Sequence, residues 1–195
     1  MSRFQNTRQP DWDWWEELWS NPKDVLRTLG LSSGQSVGDI GSGNGYFTFP
    51  AAELVDGAPV YAIDVDEELL AELSATANTR GLANINNIHG DARNLTDVLP
   101  EPVDVVLIAN TFHGVEDKVG FTKQAHQSLR PNGRFIIVNW RALSKEETTV
   151  DGTARGPPEE LRMSVSETHE IMAETFEDIQ EIDLPPYHYA LIGER

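Results

Sequence analysis

Five short apolar runs, at residues 36–40, 60–63, 84–89, 103–109 and 134–139, are separated by amphipathic stretches. That alternation constrains the chain to an α/β fold, a parallel sheet with helices on both faces. Val103-Asp-Val-Val-Leu-Ile-Ala109 is nearly continuous in apolar residues, as a strand covered on both faces requires. The spacing predicts helices over residues 46–54, 67–80, 95–99 and 117–129. Asp66 stands where it can cap the second of these and Gly81 where it can end it, while Arg130-Pro131-Asn132-Gly133 makes a turn into the fifth strand.

Two helical pieces precede the sheet. One, over residues 11–19, sets Trp12, Trp15 and Trp19 on a single face; the other is opened by Asn21-Pro22 and closed by Gly30. Behind the sheet, residues 142–162 are polar and hold Gly152, Gly156, Pro157 and Pro158, which makes them a long connection. Ser164-Val-Ser-Glu167 is a capping box for a helix to about residue 176, and two more strands follow at 179–184 and 187–192. A chain of 195 residues accommodates one well-buried core, so residues 1–195 are read as one domain: terminal helices to 30, a core from 31 to 140, and the connection, helix and last strands from 141.

Charge narrows the partners. Fifteen basic residues face 32 acidic ones, a net charge of −17, and four lysines stand against eleven arginines. Such a field repels nucleic acid and anionic membrane. A lysine-poor acidic surface is also expected of a protein from a salt-rich cytoplasm, where screening relieves self-repulsion. No apolar run approaches the 18 or so residues of a bilayer span, and the first ten residues hold no apolar signal core, so a cytoplasmic location is expected. The absence of cysteine removes disulfides, thiolate metal sites and thiol nucleophiles, and no pair of histidines has ligand spacing, so no metal is expected.

The first strand ends in Asp39-Ile-Gly-Ser-Gly-Asn-Gly45, which runs into a helix. Glycines there let the backbone turn tightly and approach a ligand. A dinucleotide fingerprint needs Gly-x-Gly-x-x-Gly, and residue 46 is Tyr. With Leu-Arg-Pro-Asn-Gly-Arg before the fifth strand, the pattern instead resembles the class I S-adenosylmethionine-dependent methyltransferases, closest in look to the ubiquinone and menaquinone biosynthesis type, over residues 29–140. The resemblance implies a Rossmann-like, mostly parallel seven-stranded sheet with an antiparallel last strand, and S-adenosylmethionine as cofactor. It implies that Gly41, Ser42, Gly43 and Gly45 line the methionine and ribose part, and that Asp39 accepts from the ammonium. Asp64, nineteen residues after Gly45, would accept both ribose hydroxyls, with Val65 beside it. Asp91 and Ala92 would read the adenine, and Asn110 would flank the methionine moiety. A helix cap for Asp64 and a turn role for Asp91 are the structural alternatives.

His113, just past the fourth strand, is the candidate general base, with loop hydrogen bonding as its other role. Trp15 of the tryptophan face is read either as core packing or as part of a lid over the substrate. Arg155 and Arg162 are candidates for surface ion pairs or for a substrate anion, and His188 with Tyr187 either reaches the site or fills the last hairpin. Leu184-Pro-Pro-Tyr187 resembles an adenine-methylating motif, but the place that motif takes, after the fourth strand, is held by Asn-Thr-Phe-His. The expected acceptor is therefore a small molecule. A non-catalytic cofactor-binding protein and an NAD-dependent oxidoreductase are the alternatives.

Overall fold

The computed structural model describes residues 16–19 and 21–195; Trp12, Trp15 and the rest of the expected first helix before residue 16 lie outside it. Strands β1 (Val37–Ile40), β2 (Val60–Asp64), β3 (Ile85–His89), β4 (Val103–Ala109), β5 (Leu129–Trp140), β6 (Ile179–Leu184) and β7 (His188–Glu194) form one sheet. Their order is β3-β2-β1-β4-β5-β7-β6. The first five are parallel to one another, and β7 runs antiparallel to β5 and β6.

Alternation along β4 explains the two-layered core. Val105 and Leu107 pack with Val25 and Leu26 of α1 (Pro22–Thr28) and with Ala51 and Ala52 of α2 (Thr48–Leu54). Val106 and Ile108 pack on the opposite face with Phe121 of α5 (Lys118–Gln127) and Met172 of α6 (Val165–Ala173). Each such buried Val, Leu, Ile, Phe or Met contributes roughly 1.5–3 kcal/mol, the alanines less. The two intervening helices are α3 (Glu67–Arg80) and the short α4 (Leu95–Val98).

Local punctuation acts as the residues dictate. Asp66 accepts from the main-chain N–H groups of Glu68 and Leu69, and Gly81 closes α3 in the left-handed region. Ser164 and Glu167 form both halves of the capping box. The expected turn at 130–133 is instead a bulge inside β5: Val103 pairs with Leu129 and Val105 with Arg134, so the residues between them are pushed out of the ladder. α6 stops at Ala173, short of residue 176, where the Thr175 N–H bonds the Met172 carbonyl three residues back instead of that of Ile171, tightening the last turn. That turn lets Phe176 stack on Phe135, with ring centroids 6.0 Å apart.

Candidate active site

The loops that leave the carboxyl ends of β1 to β4 are tied to one another. Gly41 and Ser42 donate their main-chain N–H groups to the Ile63 carbonyl at 2.8 and 3.2 Å, and Gly90 donates to the Asp64 carbonyl at 3.0 Å. Gly41 has φ 68° and lies so close to the β4 loop that a Cβ would come within 2.8 Å of Thr111 Oγ1. Only glycine meets both demands. This convergence sets the glycine loop, Asp64, Asp91 and Asn110 along one edge of the sheet, where open α/β sheets bind ligands.

Asp64 is half-buried, and its carboxylate accepts from Gly43 N–H at 2.8 Å and from Asp66 N–H at 2.9 Å. It thereby fixes the loop while keeping lone pairs for a ligand. The helix-cap role belongs to Asp66. Val65 beside it is 37% exposed, the one large apolar side chain so exposed among the described residues.

Asp39 is 3% exposed and receives one side-chain donor, the Thr48 hydroxyl at 2.6 Å. Burial, with a smaller push from the Asp64 charge, raises its carboxyl to about 6 against the Thr48 hydrogen bond. A buried carboxylate so sparsely satisfied calls for a cation. Thr48 has no signature in the sequence; it is one hydroxyl at the start of a helix whose one other polar residue is Glu53. Two further buried polar atoms of the loops, Ser42 Oγ and Asn110 Oδ1, have no partner, and Asn110 holds the left-handed φ of 56°. Buried orphans of this kind mark places where a ligand completes the hydrogen bonding. Asp91 caps a short 3₁₀ turn, Ala92–Asn94, and is bound by Arg93, a residue the sequence patterns do not single out. Ala92 is buried beneath it.

His113 lies on the 3₁₀ turn after β4, 7% exposed, with Nδ1 buried and unpartnered. Burial, helped by the Lys118 charge, lowers it to about 4, so the imidazole is neutral at pH 7 and a weaker base than an ordinary histidine.

The remaining candidates lie in the connection after β5, in the last hairpin and in the segment before α1. Arg162 is neither a surface cation nor an anion ligand: it is buried and donates to the carbonyls of Leu143, Ser144, Arg155 and Pro157. A polar connection without regular structure needs donors for its carbonyls, and the guanidinium fork supplies several. Arg155 is half-buried and linked by its main chain to Thr148 and Arg162. His188 has no exposed surface; its ring centroid lies 4.4 Å from that of Trp19 and 4.3 Å from that of Trp140. Tyr187 stacks on Trp140 and donates to the Thr149 carbonyl. Of the two roles open to this pair, the arrangement supports filling the hairpin. Trp19 likewise packs in the core; it donates to the Pro185 carbonyl, and its own carbonyl accepts from Tyr46.

Residues 31–184 match the model of a methyltransferase domain family. The chain belongs to this family. It is 31% identical over 120 residues to demethylmenaquinone methyltransferase of Geobacillus stearothermophilus, covering 60% of this chain and 50% of that one. It is 35% identical over 127 residues to a tRNA (guanine(6)-N2)-methyltransferase of Thermus thermophilus, covering 60% and 37%. The chain thus spans half or less of the length of these relatives. Among solved structures it resembles a SAM-dependent methyltransferase from Aquifex aeolicus, at 25% identity and a TM-score of 0.77, over 92% of this chain and 91% of that one. The neighbour's fold agrees with the sheet described above, the class I methyltransferase architecture. No described helix is long and apolar enough to cross a membrane.

Proposed function

We propose that this single-domain chain is an S-adenosylmethionine-dependent methyltransferase that moves a methyl group to a small-molecule acceptor. The observation that carries the reading is the pair of carboxylates from β1 and β2 that flank one glycine loop, Asp39 buried with one side-chain donor, Asp64 half-open. Together they suit a ligand with a cationic amine at one end and vicinal hydroxyls at its centre. In this reading Asp39 holds the ammonium with help from Asn110 Oδ1, and Asp64 takes the ribose hydroxyls. Gly41, Ser42, Gly43 and Gly45 supply the close-lying backbone, Val65 covers a face of the adenine, and Asp91 with Ala92 reads its edge.

Bound S-adenosylmethionine supplies a sulfonium methyl that is open to in-line displacement. What the chain adds is position, and holding reactants in line is worth up to roughly 7–11 kcal/mol. His113, neutral and with Nδ1 free to accept a hydrogen bond, orients the nucleophile's proton better than it removes it.

The state of Asp39 gives the cofactor site a pH signature. Holding an ammonium requires the carboxylate, and the free chain's Asp39 titrates at about 6. Affinity for S-adenosylhomocysteine is therefore expected to be flat above about pH 7 and to fall by up to about tenfold per pH unit below 6. Calorimetric titrations across that range check it, and Asp39→Asn is expected to bind weakly with no such slope.

The net charge of −17 supports a small acceptor over RNA; the tRNA-methylating relative favours the second reading. Incubating the protein with methyl-labelled S-adenosylmethionine and a fractionated cell extract separates the two. Label is expected in the small-molecule fraction, and label confined to RNA would contradict the proposal.

A further inference from the structure

Arg93 stands two residues beyond Asp91, on the turn after β3. Its main-chain N–H donates to Asp91 Oδ1 at 3.0 Å. Its Nε–H is shared between Oδ1 at 3.0 Å and Oδ2 at 2.8 Å, and Nη2 donates to Oδ2. Three N–H groups of Arg93 therefore make four contacts with the carboxylate, two on each oxygen, and a site opens to another donor only where the shared Nε–H settles on one of its two oxygens. The Asp91 side chain is 19% exposed and that of Arg93 42%, so the cation faces outward and backs the carboxylate. The negative charge of Glu116, from the loop after β4, also acts on the guanidinium.

An unsupported aspartate on a turn would sample several rotamers and present its oxygens in all of them. The planar fork removes that freedom. The bonds from Arg93 also hold the Asp91 carboxyl below its ordinary range, so it stays an acceptor and never a donor near neutral pH.

We propose that Arg93 is a positioning residue for the cofactor's base: it locks the plane of Asp91 so that the one site its shared Nε–H can yield meets an exocyclic amine, and so sets the preference for adenine over hypoxanthine. The inference rests on the functional reading above, and specifies which base that site takes and why. Removing Arg93 turns a fixed one-site reader into a mobile carboxylate that has lost its selectivity. Because the pair is exposed and local, its loss is expected to leave the fold unchanged.

The test compares calorimetric binding of S-adenosylhomocysteine and S-inosylhomocysteine, which carries a carbonyl where adenine carries its amine. Wild type is expected to favour the adenine ligand at least about tenfold, the range of one hydrogen bond to a charged group. Arg93→Ala is expected to narrow the preference to about twofold without altering thermal unfolding, and Arg93→Lys, whose ammonium cannot fork, to fall between. An Arg93→Ala variant that keeps the wild-type ratio, or that weakens both ligands equally, overturns the proposal. So does a wild type with no preference. A wild type that binds neither ligand overturns the functional reading itself, and this inference with it.

Discussion

Asp64→Ala is expected to weaken S-adenosylhomocysteine binding at least about thirtyfold, or about 2 kcal/mol. The substitution acts twice. It removes the acceptor proposed for the ribose hydroxyls, and hydrogen bonds to a charged group are worth about 1.5–3 kcal/mol each. It also strips the N–H groups of Gly43 and Asp66 of their partner, releasing the loop that Asp64 pins. Asp64→Asn retains one acceptor oxygen and is expected to lose about half as much in free energy. Calorimetry with each variant measures the loss, and circular dichroism melting separates it from unfolding. An Asp64→Ala chain that binds within about threefold of wild type would remove Asp64 from the site.

Acid lability is the second large expectation. His188 is held at about 3 by burial, with the Arg141 charge adding to it, against an ordinary value of 6.5. Between those values the unfolded chain binds a proton that the folded chain refuses. The stability His188 lends is therefore full above pH 6.5 and is lost as pH falls towards 3. His113, lowered to about 4, acts with the same sign. Asp39 acts against them: raised to about 6 from 3.8, it takes up a proton on folding between those values, so the cost of burying it is relieved by acid. From pH 7 to 5 each histidine removes about 2 kcal/mol and Asp39 returns about 1, a net loss of about 3 kcal/mol. Urea unfolding at the two pH values measures it. His188→Gln is expected to lose about 2 kcal/mol less than wild type over the same interval, and equal losses would show that His188 is not buried neutral between its two indoles.

These two expectations differ in how far the sequence foretold them. Asp64 was legible because a parallel strand covered on both faces must be apolar, so the polar residue ending Val60–Asp64 stands out at the ligand edge. The same logic marks Asp39 and Asn110, and the capping of α3 by Asp66 and Gly81 follows from short-range chemistry alone. His188 is not legible because its role is set by residues distant in sequence, and Arg162 because the main-chain carbonyls it serves carry no side-chain signature. Trp19 and Trp140 meet across His188, and Arg162 spends its fork on four carbonyls of its own connection. A buried arginine bonded to main chain reads, letter for letter, like a surface one. The bulge in β5 reads as a turn because local residues specify the bend, while the pairing of Leu129 with Val103 depends on a strand some 26 residues away. Arg93 carries no signal of its own, because an Asp-x-Arg spacing is common in turns and acquires meaning only at the edge where Asp91 sits.

The most direct test of the central claim is a calorimetric titration of the wild-type chain with S-adenosylhomocysteine, run beside one with NAD. The account predicts saturable one-to-one binding of S-adenosylhomocysteine and no heat from NAD; binding of NAD alone would contradict it.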